Sequence, residues 1–87
     1  MASIEQVKAE LAQAAEQSNV TTSQIRAAIE GTEQVLARLR AVGAGTGHPT
    51  ISEAIGRAEQ SKQRLIEAAT TLQGSSELAR RYISVLG

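Results

Sequence analysis

"AVGAGTGHPT" occupies residues 41–50, close to the middle of the chain, and the fold depends on how this stretch is interpreted. It contains three of the seven glycines, the only proline and the only histidine. Glycine permits the left-handed backbone that ends many helices, and proline cannot lie in the interior of a continuous helix without breaking it. The stretch is therefore predicted to connect two helices, with these turn residues: Gly43, Gly45, Gly47 and Pro49.

Apolar residues before the connector recur at spacings of three and four, which favours one side of a long helix. Two rows are predicted to form its seam: Ile4, Leu11, Ser18, Ile25, Thr32 and Leu39, and Val7, Ala14, Thr21, Ala28, Val35 and Val42. Ile29 and Leu36 widen this stripe in its second half. No segment alternates with period two for long enough to make a strand.

The same periodicity resumes after the connector and predicts a second helix. Its rows are Ile51, Ala58, Leu65, Leu72, Ala79 and Leu86, and Ile55, Lys62, Ala69, Ser76 and Ile83, with Leu78, Tyr82 and Val85 as a flanking stripe. Ser3 with Gln6, and Thr50 with Glu53, have the spacing of capping boxes. We therefore predict one all-α domain over 1–87, an antiparallel helical hairpin with helices at about 3–42 and 50–85.

Two polar segments interrupt the apolar rows. If Val42 faces Ile51, the segment at 18–23 lies opposite the segment at 70–76. We favour a thin, kinked waist within one hairpin, and the alternative is four shorter helices whose distal part folds back. Charges would assist this register weakly, because Glu10 and Glu16 would then lie near Arg80 and Arg81.

Composition predicts association with another molecule. The 87 residues carry nine basic and nine acidic side chains, no cysteine and one aromatic, Tyr82. Zero net charge gives no support for nucleic acid or an anionic membrane as partner, and the lack of cysteine excludes disulfides and thiolate metal sites. A two-helix hairpin has a single seam and buries little area. We expect a homodimer that forms a four-helix bundle, or a heteromer with another protein.

The glycine-rich connector does not have the pattern of a phosphate-binding loop. Such a loop follows a strand and continues into Lys-Ser or Lys-Thr, whereas here a helix precedes and His48 follows the last glycine. His48 has no further His, Cys or Asp with which to hold a metal, and no helix pair forms a cleft that would perturb a glutamate. We therefore predict no catalytic, metal-binding or cofactor-binding residue, no cofactor and no enzymatic activity.

The residues expected to matter are apolar ones buried between helices. The predicted protein-interface residues are Ile25, Ile29, Leu36, Leu65, Leu72, Leu78 and Ile83. The N-terminal stretch "MASIEQVKAELAQ" has neither the basic nor the apolar region of a signal peptide, and no apolar run reaches the roughly 18 residues that span a bilayer. These features predict a soluble cytoplasmic protein.

Several stretches resemble Ala/Glu-rich helical proteins and modules of actinobacteria that precede toxin domains: "MASIEQVKAELAQAAEQ", "GTGHPTISEAIGRAEQSKQRLIEAATTLQ" and "ELARRYISVLG". The outline of helix, glycine-containing turn and helix is similar to the WXG-type hairpins of actinobacterial type VII secretion. In this chain "GAGTGHP" replaces Trp-x-Gly, and Leu86 stands four residues after Tyr82 where the secretion signal of that family has an acid.

The resemblance implies a helper role. In that role the hairpin would serve in targeting, as a chaperone or in dimerisation, would pair with a larger toxin effector, and would be secreted without a cleaved signal peptide. Two other functions remain open from the residues alone. One is an antitoxin or adaptor that regulates an effector, and the other is a structural protein that assembles with itself.

Overall fold

The computed structural model describes residues 2–87, which form two helices. α1 spans Ile4–Gly45 and α2 spans Pro49–Leu86. The helices run antiparallel, because Arg40 near the end of α1 contacts Glu59 near the start of α2, and Arg26 contacts Gln73 further along. The predicted all-α helical hairpin is confirmed.

The start of α1 is fixed by a capping box at Ser3, as the sequence predicts. The backbone N–H of Gln6 donates to Ser3 Oγ over 3.1 Å, and the backbone N–H of Ser3 donates to Gln6 Oε1 over 2.9 Å. These two bonds satisfy N–H groups that have no partner within the helix.

The start of α2 differs from the prediction. His48 caps the helix, since its Nδ1 accepts from the backbone N–H of Thr50 over 3.2 Å, and Pro49 is the first helical residue. The predicted capping box of Thr50 and Glu53 is therefore wrong. Proline at the first helical position lacks an N–H that would be unpaired there anyway, so it begins this helix instead of standing before it.

The end of α1 also differs. The helix continues through Gly43 and Gly45, and neither has a positive φ, which among residues 2–87 occurs only at Gly87. The prediction that these glycines stop α1 in the left-handed conformation is wrong. The helix ends instead at Thr46, whose backbone is extended (φ −149°, ψ 137°) and whose N–H donates to the Gly43 carbonyl over 3.4 Å. Gly47 lies in the connector between the helices.

Both helices are continuous through the polar segments. A 42-residue helix is about 63 Å long at 1.5 Å per residue, and the molecule measures 63 × 19 × 15 Å. α1 therefore runs the full length of the hairpin, and neither the kinked waist at 18–23 and 70–76 nor the four-helix alternative is found in the described chain. Thr22 and Ser76 are small enough to be buried between the helices at this height.

The seam contains three of the four predicted rows. In α2 both rows from Ile51 and Ile55 face inward, and in α1 the row from Leu11 to Leu39 does so too. The row with Val35 and Val42 is exposed, and the inward row is the one that begins one residue later: Lys8, Ala15, Thr22, Ile29, Leu36 and Gly43. The heptad pattern of α1 fits either row equally, and the row that faces inward buries Leu36 fully and Ile29 in part.

The close approach near the connector explains part of this shift. A Cβ placed on Gly43 would lie 3.4 Å from Ile55 Cδ1 and 3.5 Å from Ile51 Cγ2. Gly43, and not Val42, is therefore the residue of α1 that faces the first turns of α2. The absence of a side chain there lets the two helices come together directly after the connector.

Candidate protein-binding surface

One side of the hairpin carries polar contacts between the helices. Arg40 Nη2 lies 2.9 Å from Glu59 Oε1, Lys62 Nζ lies 3.6 Å from Glu33 Oε1, and Arg26 Nη2 donates to Gln73 Oε1 over 3.4 Å. We call this side the charged face. All of these groups remain substantially exposed, so each pair contributes only tenths of a kcal/mol to stability.

The charge pairs predicted near the open end of the hairpin are not among these contacts. The ion pairs formed by residues 2–87 are the two between the helices and one within α2, from Arg57 to Glu53 at 3.5 Å. Neither Glu10 nor Glu16 pairs with Arg80 or Arg81. Register is therefore fixed nearer the middle of the hairpin and its connector than at its open end.

Two rows on the opposite side of the hairpin carry no charge, and the charges nearest to them stand along the outer edges, Glu10 and Arg38 in α1 and Arg57 and Arg64 in α2. Successive residues of a helix are rotated by about 100°, so Val42 lies about 160° from Arg40 and Tyr82 about 180° from Gln73. The two rows on this side are Val7, Ala14, Thr21, Ala28, Val35 and Val42 in α1, and Ala54, Ser61, Ala68, Ser75 and Tyr82 in α2. We call these rows the uncharged face.

Burial is unequal between the two faces. The fully buried residues of the described chain all lie in the seam rows next to the charged face: Ala15, Thr22, Leu36, Ala69 and Ser76. The seam rows next to the uncharged face contain no fully buried residue, and their large members are all half-buried: Leu11, Ile25, Leu39, Ile51, Leu65, Leu72 and Leu86. Ile29, Ile55 and Ile83 in the rows next to the charged face are half-buried as well. The first set lies beside the long side chains of the charged face, which can shield apolar surface with their stems, whereas the second lies beside short Ala, Ser and Thr side chains.

Five of the eight large apolar residues that are exposed in the described chain lie on or beside the uncharged face, whereas Ile66 lies on the charged face and Val20 on the back of α1. Val35 is 49% exposed, Val42 52% and Tyr82 52%, and Leu78 and Val85 lie along its edge at 60% and 74%. At the open end of the hairpin, Val7, Glu10 and Leu11 line a surface depression of about 450 Å³. An apolar surface of this extent on a small protein is typical of an interaction site.

The predicted interface residues fall into two groups. Ile25, Ile29, Leu36, Leu65, Leu72 and Ile83 lie in the seam between α1 and α2, and Leu78 lies outside it. Leu36 is only 2% exposed, so its side chain makes its contacts within the hairpin. Ile25, Leu65 and Leu72 also form the half-buried floor of the uncharged face.

The exposed apolar residues Val35, Val42 and Tyr82, which stand in the two uncharged rows, do not appear among the predicted interface residues. The signal that could have found them is the lack of charge along the two complete heptad rows that contain them. This lack of charge can be recognised only by comparing these rows with the row of Arg26, Glu33 and Arg40 on the other side of α1.

Two further surface depressions lie elsewhere on the described chain, one of about 340 Å³ beside Arg57 and Arg64 and one of about 360 Å³ beside Ala37 on the back of α1. His48 is engaged as the cap of α2. No group of three or more His, Asp or Glu side chains within 2–87 is placed to hold a metal ion. No helix in that range is both long and apolar enough to cross a membrane.

Comparison with known proteins identifies no relative. No protein-family model matches the chain, and neither a curated protein nor a solved structure matches it. The resemblance to WXG-type hairpins therefore stays a prediction from the sequence.

Proposed function

We propose that this protein is a non-catalytic hairpin that binds another protein through its uncharged face. The observation that supports this most strongly is the lack of charge along two complete rows of that face, together with the exposure of its apolar residues Val35, Val42 and Tyr82. Each Å² of apolar surface removed from water contributes about 25 cal/mol. A protein that covers this face would complete the burial that the short Ala, Ser and Thr side chains leave unfinished.

Within this class we propose a WXG-like secretion or targeting helper that pairs with a larger toxin effector. The support is the resemblance of its sequence stretches, together with a two-helix outline joined by a glycine-containing connector. In this role the chain is made in the cytoplasm and leaves the cell with its partner. An antitoxin or adaptor would use the same face, so the fate of the complex distinguishes the two functions.

The experiment compares two neighbouring substitutions in the full chain. Ala28→Glu places a charge in the centre of the uncharged face, whereas Ala27→Glu makes the same change on the exposed back of α1, about 100° away. Tagged wild-type and variant chains are used to capture partners from the native host. The captured protein is then purified and tested for direct binding.

The expected result is a partner that binds the wild type and Ala27→Glu but is lost with Ala28→Glu. Equal capture by all three chains would contradict binding through the uncharged face. Fractionation of the culture then separates the roles, because a secretion helper accompanies its effector into the medium. A complex that stays in the cell and silences a toxin would instead identify an antitoxin.

A further inference from the structure

We propose that the uncharged face is covered by a second copy of this chain, arranged so that the two connectors lie at opposite ends of a four-helix bundle. This inference rests on the proposed function, since it concerns the same face: the second copy occupies the face until a larger partner replaces it. It follows from the area of the face, from the sizes of its side chains and from the charges at its edges.

The area is sufficient for a stable dimer. The face follows the 63 × 19 Å outline of the molecule, on the order of 1,000 Å², whereas stable interfaces bury about 800 Å² on each partner. The hairpin alone fully buries only five residues among 2–87, of which three are apolar. Stacking two uncharged faces would convert the half-buried seam rows of both copies into one common core.

The uncharged face is complementary to itself in size. Consider a two-fold axis that lies in the plane of the interface, crosses both helices at right angles and passes through the middle of the face. This axis stacks α1 on α1 of the second copy and α2 on α2, each pair antiparallel. Val35 then faces Ala14 of the second copy, and Ala28 faces Thr21. In α2, Tyr82 faces Ser61 of the second copy and Ala68 faces Ser75. Val35 and Tyr82 therefore each meet a small side chain, and the pairs beside the axis join two small ones, which permits close helix packing.

The heights of these pairs agree with the register within the hairpin. The axis crosses α1 between Thr21 and Ala28 and crosses α2 between Ala68 and Ser75. These two points are level in the hairpin, because Arg26 contacts Gln73 beside them. One two-fold axis therefore fits both helices without any change in the register between α1 and α2.

Charges at the edge of the face select this orientation. Glu10 follows Val7 by three residues and Arg38 follows Val35 by three, so both lie along the same edge of α1. With connectors at opposite ends, Glu10 lies opposite Arg38 of the second copy, and symmetry makes the pair twice. With connectors at the same end, Arg38 instead approaches Arg57 of the second copy, and like charges repel.

The open end of the hairpin provides a place for the connector end of the second copy. The depression of about 450 Å³ is lined by Val7, Glu10 and Leu11 among others. In the proposed dimer Val42 of the second copy lies over Val7, and Arg38 of the second copy reaches Glu10. The depression is thus filled by an apolar side chain and bordered by the ion pair.

The first test is the mass of the full chain in solution. Sedimentation equilibrium should give twice the 9.1 kDa of one chain for the wild type and for Ala27→Glu. Ala28→Glu should give the mass of one chain, since it places two like charges beside the two-fold axis. A wild-type protein that stays monomeric at its highest soluble concentration overturns the inference, and so does a dimer that Ala28→Glu leaves intact.

The second test is a charge exchange between Glu10 and Arg38. Within one hairpin these residues are about 42 Å apart along α1, so any coupling between them must be intermolecular. Arg38→Glu and Glu10→Arg should each weaken the dimer about tenfold, and the double variant should recover most of that loss. A dimer that Arg38→Glu strengthens would indicate connectors at the same end, and additive effects in the double variant would exclude the pair.

The two proposals fail separately. A monomeric wild type that still captures a host protein, and loses it with Ala28→Glu, overturns the second copy as partner and retains the binding function of the face. A dimer that behaves as proposed but captures no other protein supports the inference and contradicts the role as partner of an effector.

Discussion

Val35 and Leu36 are consecutive in α1, yet Val35 is 49% exposed and Leu36 only 2%. The boundary between the interior of the hairpin and its uncharged face therefore passes between these two residues. A substitution at Leu36 acts on the fold, and one at Val35 acts on whatever the face binds. For this reason Leu36→Glu, at a residue that the sequence predicts for the protein interface, would disrupt the hairpin itself.

Leu36→Ala should cost about 2–5 kcal/mol in the free energy of unfolding, because it creates a cavity at the most buried large side chain. Val35→Ala should cost less than about 1 kcal/mol when the chains are compared at a concentration too low for association. Urea denaturation followed by circular dichroism measures both. Similar losses for the two variants would mean that the inward row of α1 has been assigned incorrectly.

Ser76→Leu should destabilise the hairpin by about 1–3 kcal/mol, although it replaces a polar seam residue with an apolar one. Ser76 is 5% exposed, at the height of buried Thr22, and a larger side chain would push the helices apart. Glu77→Leu, at the exposed neighbouring position, is the matched control and should change the melting temperature little. A rise in melting temperature with Ser76→Leu would show that the waist has room to fill.

Gly31→Ala and Gly56→Ala should each stabilise the protein by about 0.5–1 kcal/mol. Both glycines lie inside helices with φ values that other residues adopt, and an added Cβ would meet no atom within 4 Å at either position. Thermal unfolding should show an increase of a few degrees for each variant, and Ala27→Gly should show the reverse. A loss of stability at Gly31 would reveal a close contact made only in the assembled state.

His48→Ala should destabilise the protein by about 0.5–2 kcal/mol, since it removes the acceptor that caps α2. Thr50→Ala should have a much smaller effect, because Thr50 supplies only a backbone N–H to that cap. His48→Asn, with a side chain that is favoured at this position, should restore the stability. Greater sensitivity to Thr50→Ala than to His48→Ala would instead support a cap at the position predicted from the sequence.

The sequence predicts most of the fold and little of the surface. Both rows of α2 are predicted correctly, because Ile51, Leu65 and Ile83 stand among polar neighbours and leave one choice of face. In α1 the row ending in Val42 and the row ending in Gly43 fit the same heptad. The choice between them depends on Ile51 and Ile55 across the seam, which no local pattern in α1 contains.

The ends of the helices likewise depend on contacts that a local sequence pattern does not contain. Pro49 is compatible with a position before a helix and with its first turn, and the imidazole of His48 decides between them by accepting from Thr50. The uncharged face was not predicted because it is defined by what two helices place on one side. Each of its two rows, considered alone, resembles any small-residue row on the surface of a helix.

Tyr82, the only aromatic residue, lies on the uncharged face and is half-exposed. The intrinsic fluorescence of the whole protein therefore originates at this one position, without any label. Emission intensity and its quenching by iodide would report directly whether the face is open or covered. A titration of the unmodified chain, or of the chain with a partner, can thus be followed optically at the surface where binding is proposed to occur.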